Sequence, residues 1–324
     1  MSSAVAFCSS CITQSIVLYV GMCTVIVGVS GNLLNLLVFL SLKTFRENSC
    51  AFYLVLMSLV NIGHLITGQL TRVVITGFGM DWTSMSLFYC KFRQFSVQTF
   101  GLVSLTCLCL ATMDQFFATC FTVYWQQWSN IRLAHRLSAL SIVIWVVYCT
   151  PYLVFYNQVF AASGTVSCSL TNVIFRQYHT YVNSVVLSCG LPLVITVTLG
   201  TLAYRNVRQI AYRTVPLVRR ELDKQLTNMV LIQIIFSFCF LLPYFILSVI
   251  SLATNITSDP VTNAYFSIFI NVSACIYYFT YACPFYIYVC VSKRFRQQLV
   301  YALCNLRFNP KQRTTANKVL PLQA

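Results

Sequence analysis

Charged side chains punctuate this chain so rarely that it separates into long uncharged stretches, at 1–42, 48–71, 94–113, 137–175, 177–204, 225–258 and 260–292. Apolar residues dominate each one. Every stretch reaches the ~20 residues that carry an α-helix across about 30 Å of hydrocarbon. Buried strands of a water-soluble domain run only about 4–8 residues. The alternating segments of about ten residues that build a membrane β-barrel are absent. The pattern therefore predicts an all-α membrane protein, a seven-transmembrane-helix bundle with helices at 14–42, 50–77, 88–121, 133–157, 176–208, 219–252 and 261–290. The connections are short, and the segment before the first helix is too small to fold alone. Any ligand must be caught by the helices and their loops.

After the seventh helix the pattern changes. Phe295, Leu299 and Leu303 recur every fourth residue among basic and amide side chains. This spacing predicts a short amphipathic helix at about 292–304, lying on the inner membrane surface. The chain then divides into one seven-helix membrane domain, 1–304, which includes the amphipathic helix, and a short basic tail, 305–324. Cys304 is a candidate for palmitoylation; the alternative is an unmodified, buried thiol.

Composition agrees with the pattern: 58% of residues are hydrophobic and 8% are charged, against about 25% charged in soluble domains. The net charge of +15 points away from nucleic acid once its location is read. Lys43, Arg46, Arg132, Arg136, Arg205, Arg208, Arg213, Arg219, Arg220, Lys224 and the basic tail fall on one side of the bundle, and only Arg72, Lys91, Arg93 and Arg176 on the other. Cytoplasmic loops collect Lys and Arg, so the N-terminus is expected outside and the C-terminus inside. The basic face then meets anionic lipid and an intracellular partner. With no charge before Lys43, the first segment reads as a membrane helix that also targets the chain rather than as a cleavable signal. No nucleophile–base–acid set, metal-ligand cluster or cofactor motif stands out, which argues against an enzyme and predicts neither metal nor cofactor.

Spaced residues then add a resemblance. Gly31-Asn32 lies in the first helix, and Trp82 precedes Cys90 by eight residues. Asp114 follows Cys90 by 24, Trp145 lies in the fourth helix, Pro192 in the fifth, Pro243-Tyr244 in the sixth and Pro284 in the seventh. This ordered set, spread over nearly the whole chain, resembles the rhodopsin-like class of G-protein-coupled receptors. The resemblance implies a disulfide between Cys90 and Cys168, pinning the loop between helices four and five over the bundle; an oxidising outer compartment is compatible with it. Cys8 and Cys11 are also outside, and their pairing stays open. Pro192, Pro243 and Pro284 each remove a backbone hydrogen bond and are candidate helix hinges.

Several positions depart from the family. Its Asp-Arg-Tyr triplet reads Asp114-Gln115-Phe116. Gln115 can still hydrogen-bond, for example to Asp223 at the base of the sixth helix, but an uncharged bond is weaker by about twofold. Asp114, Gln115 and Asp223 form the expected inner switch. Asn61 stands where the family has a buried aspartate, with Asn32 and Ser104 completing a polar core; without the carboxylate no bound sodium ion is expected. Leu241 replaces a tryptophan. In the seventh helix the family's tyrosine falls at Ile287 counted from Pro284, or at Tyr288 counted back from Phe295. In the fifth, it falls at Gly200, with Tyr204 one turn lower.

For the ligand, Val97 occupies the place of the amine receptors' aspartate, and 260–292 holds no lysine for a retinal. Candidate lining residues are Gln94, Gln98, Tyr244, Ser248, Phe269 and Tyr277, with Arg72 near the outer end of helix two. Amides, hydroxyls and aromatics around one arginine suit a peptide or another neutral-to-anionic polar ligand. The expected function is a plasma-membrane receptor that signals to a heterotrimeric G protein. Gln115, Asn61 and Leu241 leave open a scavenger or non-coupling receptor. Helix count and kinks leave open a transporter or channel, although no acid lies deep in a helix to carry protons. Asn255-Ile256-Thr257 is a glycosylation sequon in the last outer loop.

Overall fold

The structure is a computed structural model that describes residues 2–41, 43–160, 166–209, 217–253 and 260–308, with side chains described outside 2–7, 43–44, 217–223, 253, 260 and 305–308. Six long apolar helices are α1 (Ser2–Ser41), α2 (Ser49–Gly77), α3 (Leu87–Thr119), α4 (Ile131–Phe155), α5 (Val173–Gln209) and α6 (Leu217–Ala253). The seventh span is broken: α7 (Pro260–Ala282) and α8 (Pro284–Val291) meet at Cys283 with a bend of 54°. Pro284 opens α8, where its missing N–H costs least. A final amphipathic helix, α9, runs Lys293–Phe308. The result is an all-α bundle of seven membrane spans.

Helix starts are set by polar caps. Asn48, Ser86, Asn130 and Asn172 each accept a backbone N–H from the first turn of α2, α3, α4 and α5, satisfying a donor that the helix cannot. Before α3 the chain turns at Gly79, whose φ of +70° is left-handed and suits glycine. α1 starts at Ser2 rather than at 14, because no proline or charge interrupts residues 2–13. The fourth helix ends at Phe155, two residues early, because the chain turns there into an unexpected hairpin: β1 (Tyr156–Phe160) pairs antiparallel with β2 (Val166–Leu170), Gln158 opposite Cys168. The Gln158 amide donates to the carbonyls of Thr83 and Ser84 at 2.9 and 2.7 Å, tying the hairpin to the α2–α3 loop.

Between helices in lipid, close packing and hydrogen bonds replace the hydrophobic drive. The main core lies at the end away from the hairpin, where Phe39, Leu54, Met57, Met229, Tyr288 and Phe295 are buried together. Small residues let α7 approach: a Cβ on Gly28 would meet Ala282 at 2.8 Å, and one on Gly68 the Tyr278 hydroxyl at 2.5 Å.

Candidate functional site

A cavity of about 400 Å³ opens between α2, α3, α5, α6 and α7 beneath the hairpin. Cys90, in the first turn of α3, is disulfide-bonded to Cys168 on β2, with their Cα atoms 5.8 Å apart. The hairpin is thereby fixed beside the cavity, and Tyr156 of β1 contributes to its wall.

Arg72, Gln94, Gln98, Tyr244, Ser248 and Tyr277 all line this cavity. Phe269 does not: it is 62% exposed on the outer face of α7. The inward stripe of that helix is Ile270, Ala274, Tyr277 and Tyr278, and a position one residue off such a stripe turns about 100° away. Val97 also reaches the cavity, one apolar position in a wall of α3 that is otherwise polar.

Sequence reasoning missed Arg93 and a row on α5: His179, Asn183, Ser184 and Ser188. Over His179–Gly190 the backbone widens to i→i+5 hydrogen bonding, as α2 does over Leu65–Leu70 and Val73–Gly77. Ser184 and Ser188 donate to carbonyls five residues back, at 3.1 and 2.8 Å, which supports the wider turn. Such widened turns concentrate at functional sites. They also rotate side chains off the 3.6-residue period, so a periodic reading of α5 finds no inward face.

Polar contacts order the walls. Asn183 donates to the Gln98 amide oxygen at 2.9 Å, and Tyr152 and the His179 Nδ1 lie 2.7 Å apart. Arg72 donates to the Asn271 amide oxygen at 2.5 Å. Beneath, Leu105, Cys189, Leu241 and Phe245 close the floor, so Leu241 packs as an aliphatic plug at the family's tryptophan position.

From the cavity a chain of hydrogen bonds descends. The Tyr277 hydroxyl lies 3.0 Å from that of Tyr281 and 3.4 Å from His64 Nε2. The other ring nitrogen of the fully buried His64 faces the Val97 carbonyl at 3.1 Å. Asn32 donates to the Tyr281 carbonyl at 2.9 Å, Asn61 to the Asn32 amide oxygen at 3.5 Å, and Ser104 to the Asn61 amide oxygen at 2.6 Å. The polar core of Asn32, Asn61 and Ser104 is thus assembled from neutral groups.

At the opposite end neutral side chains clasp α6 to its neighbours. Thr227 donates to the Gln115 amide oxygen at 2.9 Å, joining α6 to α3. The buried Tyr288 donates to Gln233, whose own amide meets the Met57 sulfur at 3.2 Å. Ser292 donates to Gln225 at 2.8 Å. Tyr288 rather than Ile287 therefore presents the polar group to α6. Gly200 is buried against Leu231, while Tyr204 is exposed with Arg208 over its ring. Asp114 is buried beside Gln115; the Asp223 side chain lies outside the described residues, as do Asn255 and residues 309–324.

Pro192 follows the widened stretch of α5, Pro243 lies within the continuous α6, and Pro284 marks the 54° bend. Cys8, Cys11 and Cys304 are free, exposed thiols. Among the described residues no His, Cys, Asp or Glu cluster could hold a metal ion. Compared with known proteins, residues 31–288 match the family model described as 7 transmembrane receptor (rhodopsin family). No curated protein matches the chain.

Proposed function

The chain belongs to the rhodopsin family of seven-transmembrane receptors, and on that premise we propose that it takes a ligand in the cavity and signals to a heterotrimeric G protein. In this reading it sits in the plasma membrane with its N-terminus and hairpin outside, and the Lys/Arg-rich ends of the helices inside. The observation that carries it is the connection between the two ends. Tyr277 faces the cavity and begins a hydrogen-bonded chain to the polar core, and beyond the core α6 is held by neutral clasps. A ligand that binds the open form better shifts the balance toward it.

Magnitudes are consistent with a switch. Interhelical hydrogen bonds in membranes contribute about 0.6 kcal/mol on average. Three clasps, at Gln115, Gln225 and Gln233, then hold the closed form by about 2 kcal/mol, a bias of roughly 30-fold. A ligand with modest preference for the open form can overcome that. A cavity of about 400 Å³ suits a small polar ligand or the end of a peptide.

A second reading, a receptor-like protein that binds without coupling, is favoured by Gln115 in place of the family's arginine. Nucleotide exchange on G proteins in membranes bearing the chain, beside its Gln115→Arg variant, separates the two. Exchange by both supports coupling without arginine. Exchange by the variant alone supports the non-coupling reading, and silence in both at full surface expression, across a panel of G proteins and ligands, removes the coupling proposal.

A further inference from the structure

Two guanidinium groups share the cavity. Arg72 enters from α2 and Arg93 from α3, and no Asp or Glu is among the lining residues described. Both Nε atoms are buried without a protein partner. The contact that Arg72 makes is with the neutral amide of Asn271, which orients the fork without neutralising it. Around them, Lys91 and Arg176 add positive charge at the same end. The described acid there, Asp81, is committed to capping the backbone N–H groups of Thr83 and Ser84.

Two cations facing one partly dehydrated space repel each other and pay a desolvation cost. An ammonium ligand would add a third. A planar or tetrahedral oxyanion instead matches the forked N–H geometry of both guanidiniums. Asn183 adds an independent constraint. It is 1% exposed, and its Nδ2 donates to Gln98 while its Oδ1 has no protein partner. That buried acceptor in the cavity wall asks for a ligand hydroxyl or N–H. The apolar side of the cavity, Val97 and Phe245, takes carbon.

We propose that the cavity recognises an oxyanion, a carboxylate or phosphate held between Arg72 and Arg93, on a ligand that also offers a hydrogen-bond donor to Asn183. This deepens the receptor reading and rests on it for the consequence of binding, though not for binding itself. The positive charge at this end steers anions toward the cavity.

The test uses the full-length receptor in phosphatidylcholine nanodiscs and reads its thermal midpoint against inorganic phosphate, L-lactate, trialanine free acid, trialanine amide and choline, at matched chloride. At least one oxyanion should raise the midpoint saturably, whereas the amide and choline should not. Which anion works separates a phosphate, a small hydroxy acid and a peptide C-terminus. Arg93→Gln and Arg72→Gln should each raise the half-saturating concentration by ~30-fold or more, whereas Arg132→Gln, exposed at the opposite end of the bundle, should leave it unchanged. If the glutamine variants fold poorly, Val97→Asp keeps the idea exposed. A carboxylate in the wall should raise the ligand-free midpoint and abolish the anion response. The proposal is overturned if no probe exceeds the chloride control, or if the response survives Arg72→Gln/Arg93→Gln or Val97→Asp. Nucleotide exchange in the same discs keeps the two failures apart. Exchange without an anion response sinks the oxyanion site alone; an anion response without exchange removes coupling and leaves the site.

Discussion

The two ends of the bundle solve opposite problems. At the hairpin end, Arg72 and Arg93 face a cavity whose described lining carries no acid, and two of the helices around it, α2 and α5, are widened. At the other end the side chains that tie α6 to its neighbours are neutral and engaged with one another, and Phe39, Phe45, Tyr288 and Phe295 pack edge to face around them. One end holds charge that no described acid neutralises; the other holds α6 to its neighbours with bonds that are individually weak. That division suits a receptor. Ligand recognition gains from unsatisfied charge, whereas a switch must be easy to release. A charge-assisted bond would be about twice as strong, so the neutral Thr227–Gln115 bond, at the place of the family's arginine, is a weaker tie between α6 and α3.

The largest test of this contrast removes the strap at the cavity end. Cys168→Ser should cost about 2–5 kcal/mol and deplete folded receptor at the cell surface. An unchanged thermal midpoint would mean that the hairpin is held without the disulfide. Next, removing all three clasps in Thr227→Val/Tyr288→Phe/Ser292→Ala should raise basal nucleotide exchange by roughly 30-fold. No increase in a folded triple variant would show that packing, not these bonds, keeps α6 in place. A smaller effect is expected midway between the ends. Ser104→Ala strips the Asn61 amide oxygen of its 2.6 Å donor and should lower stability by about 1 kcal/mol, read as a lower midpoint in the same bilayer. At the bottom of the scale, Phe269→Ala, on the outer face of α7, should leave ligand response and stability within about 0.5 kcal/mol of the parent. A change in ligand potency there would place the recognition surface outside the cavity.

The spans were legible because hydrocarbon imposes one severe condition, that every backbone polar group be satisfied within the segment. Long uncharged stretches can meet it only as helices, and α2 to α6 follow the expected ranges within a few residues. Part of the cavity was legible too. Gln94 and Gln98 lie one turn apart on α3, and Tyr244 and Ser248 one turn apart on α6, so ordinary helical spacing placed them together. It failed where the backbone left that spacing. Asn183 and His179 are turned inward by the widened run of α5, and Phe269 sits one residue off the inward stripe of α7.

By itself, then, the sequence determined the helical architecture, the ordering of the spans and the neutral side chains, Gln115 and Asn61, at two of the family's charged positions. Those follow from residue chemistry and from segment length. Tertiary structure decided the β1–β2 hairpin, the choice of Thr227 as the partner of Gln115, the turning of Tyr288 toward Gln233, and the meeting of Arg72 with Arg93 in one cavity. The hairpin depends on strand pairing within one loop and on its tether to α3; each of the others depends on the rotation of one helix about its axis relative to another. In a bilayer that rotation is set by close packing across the bundle, which no single segment encodes.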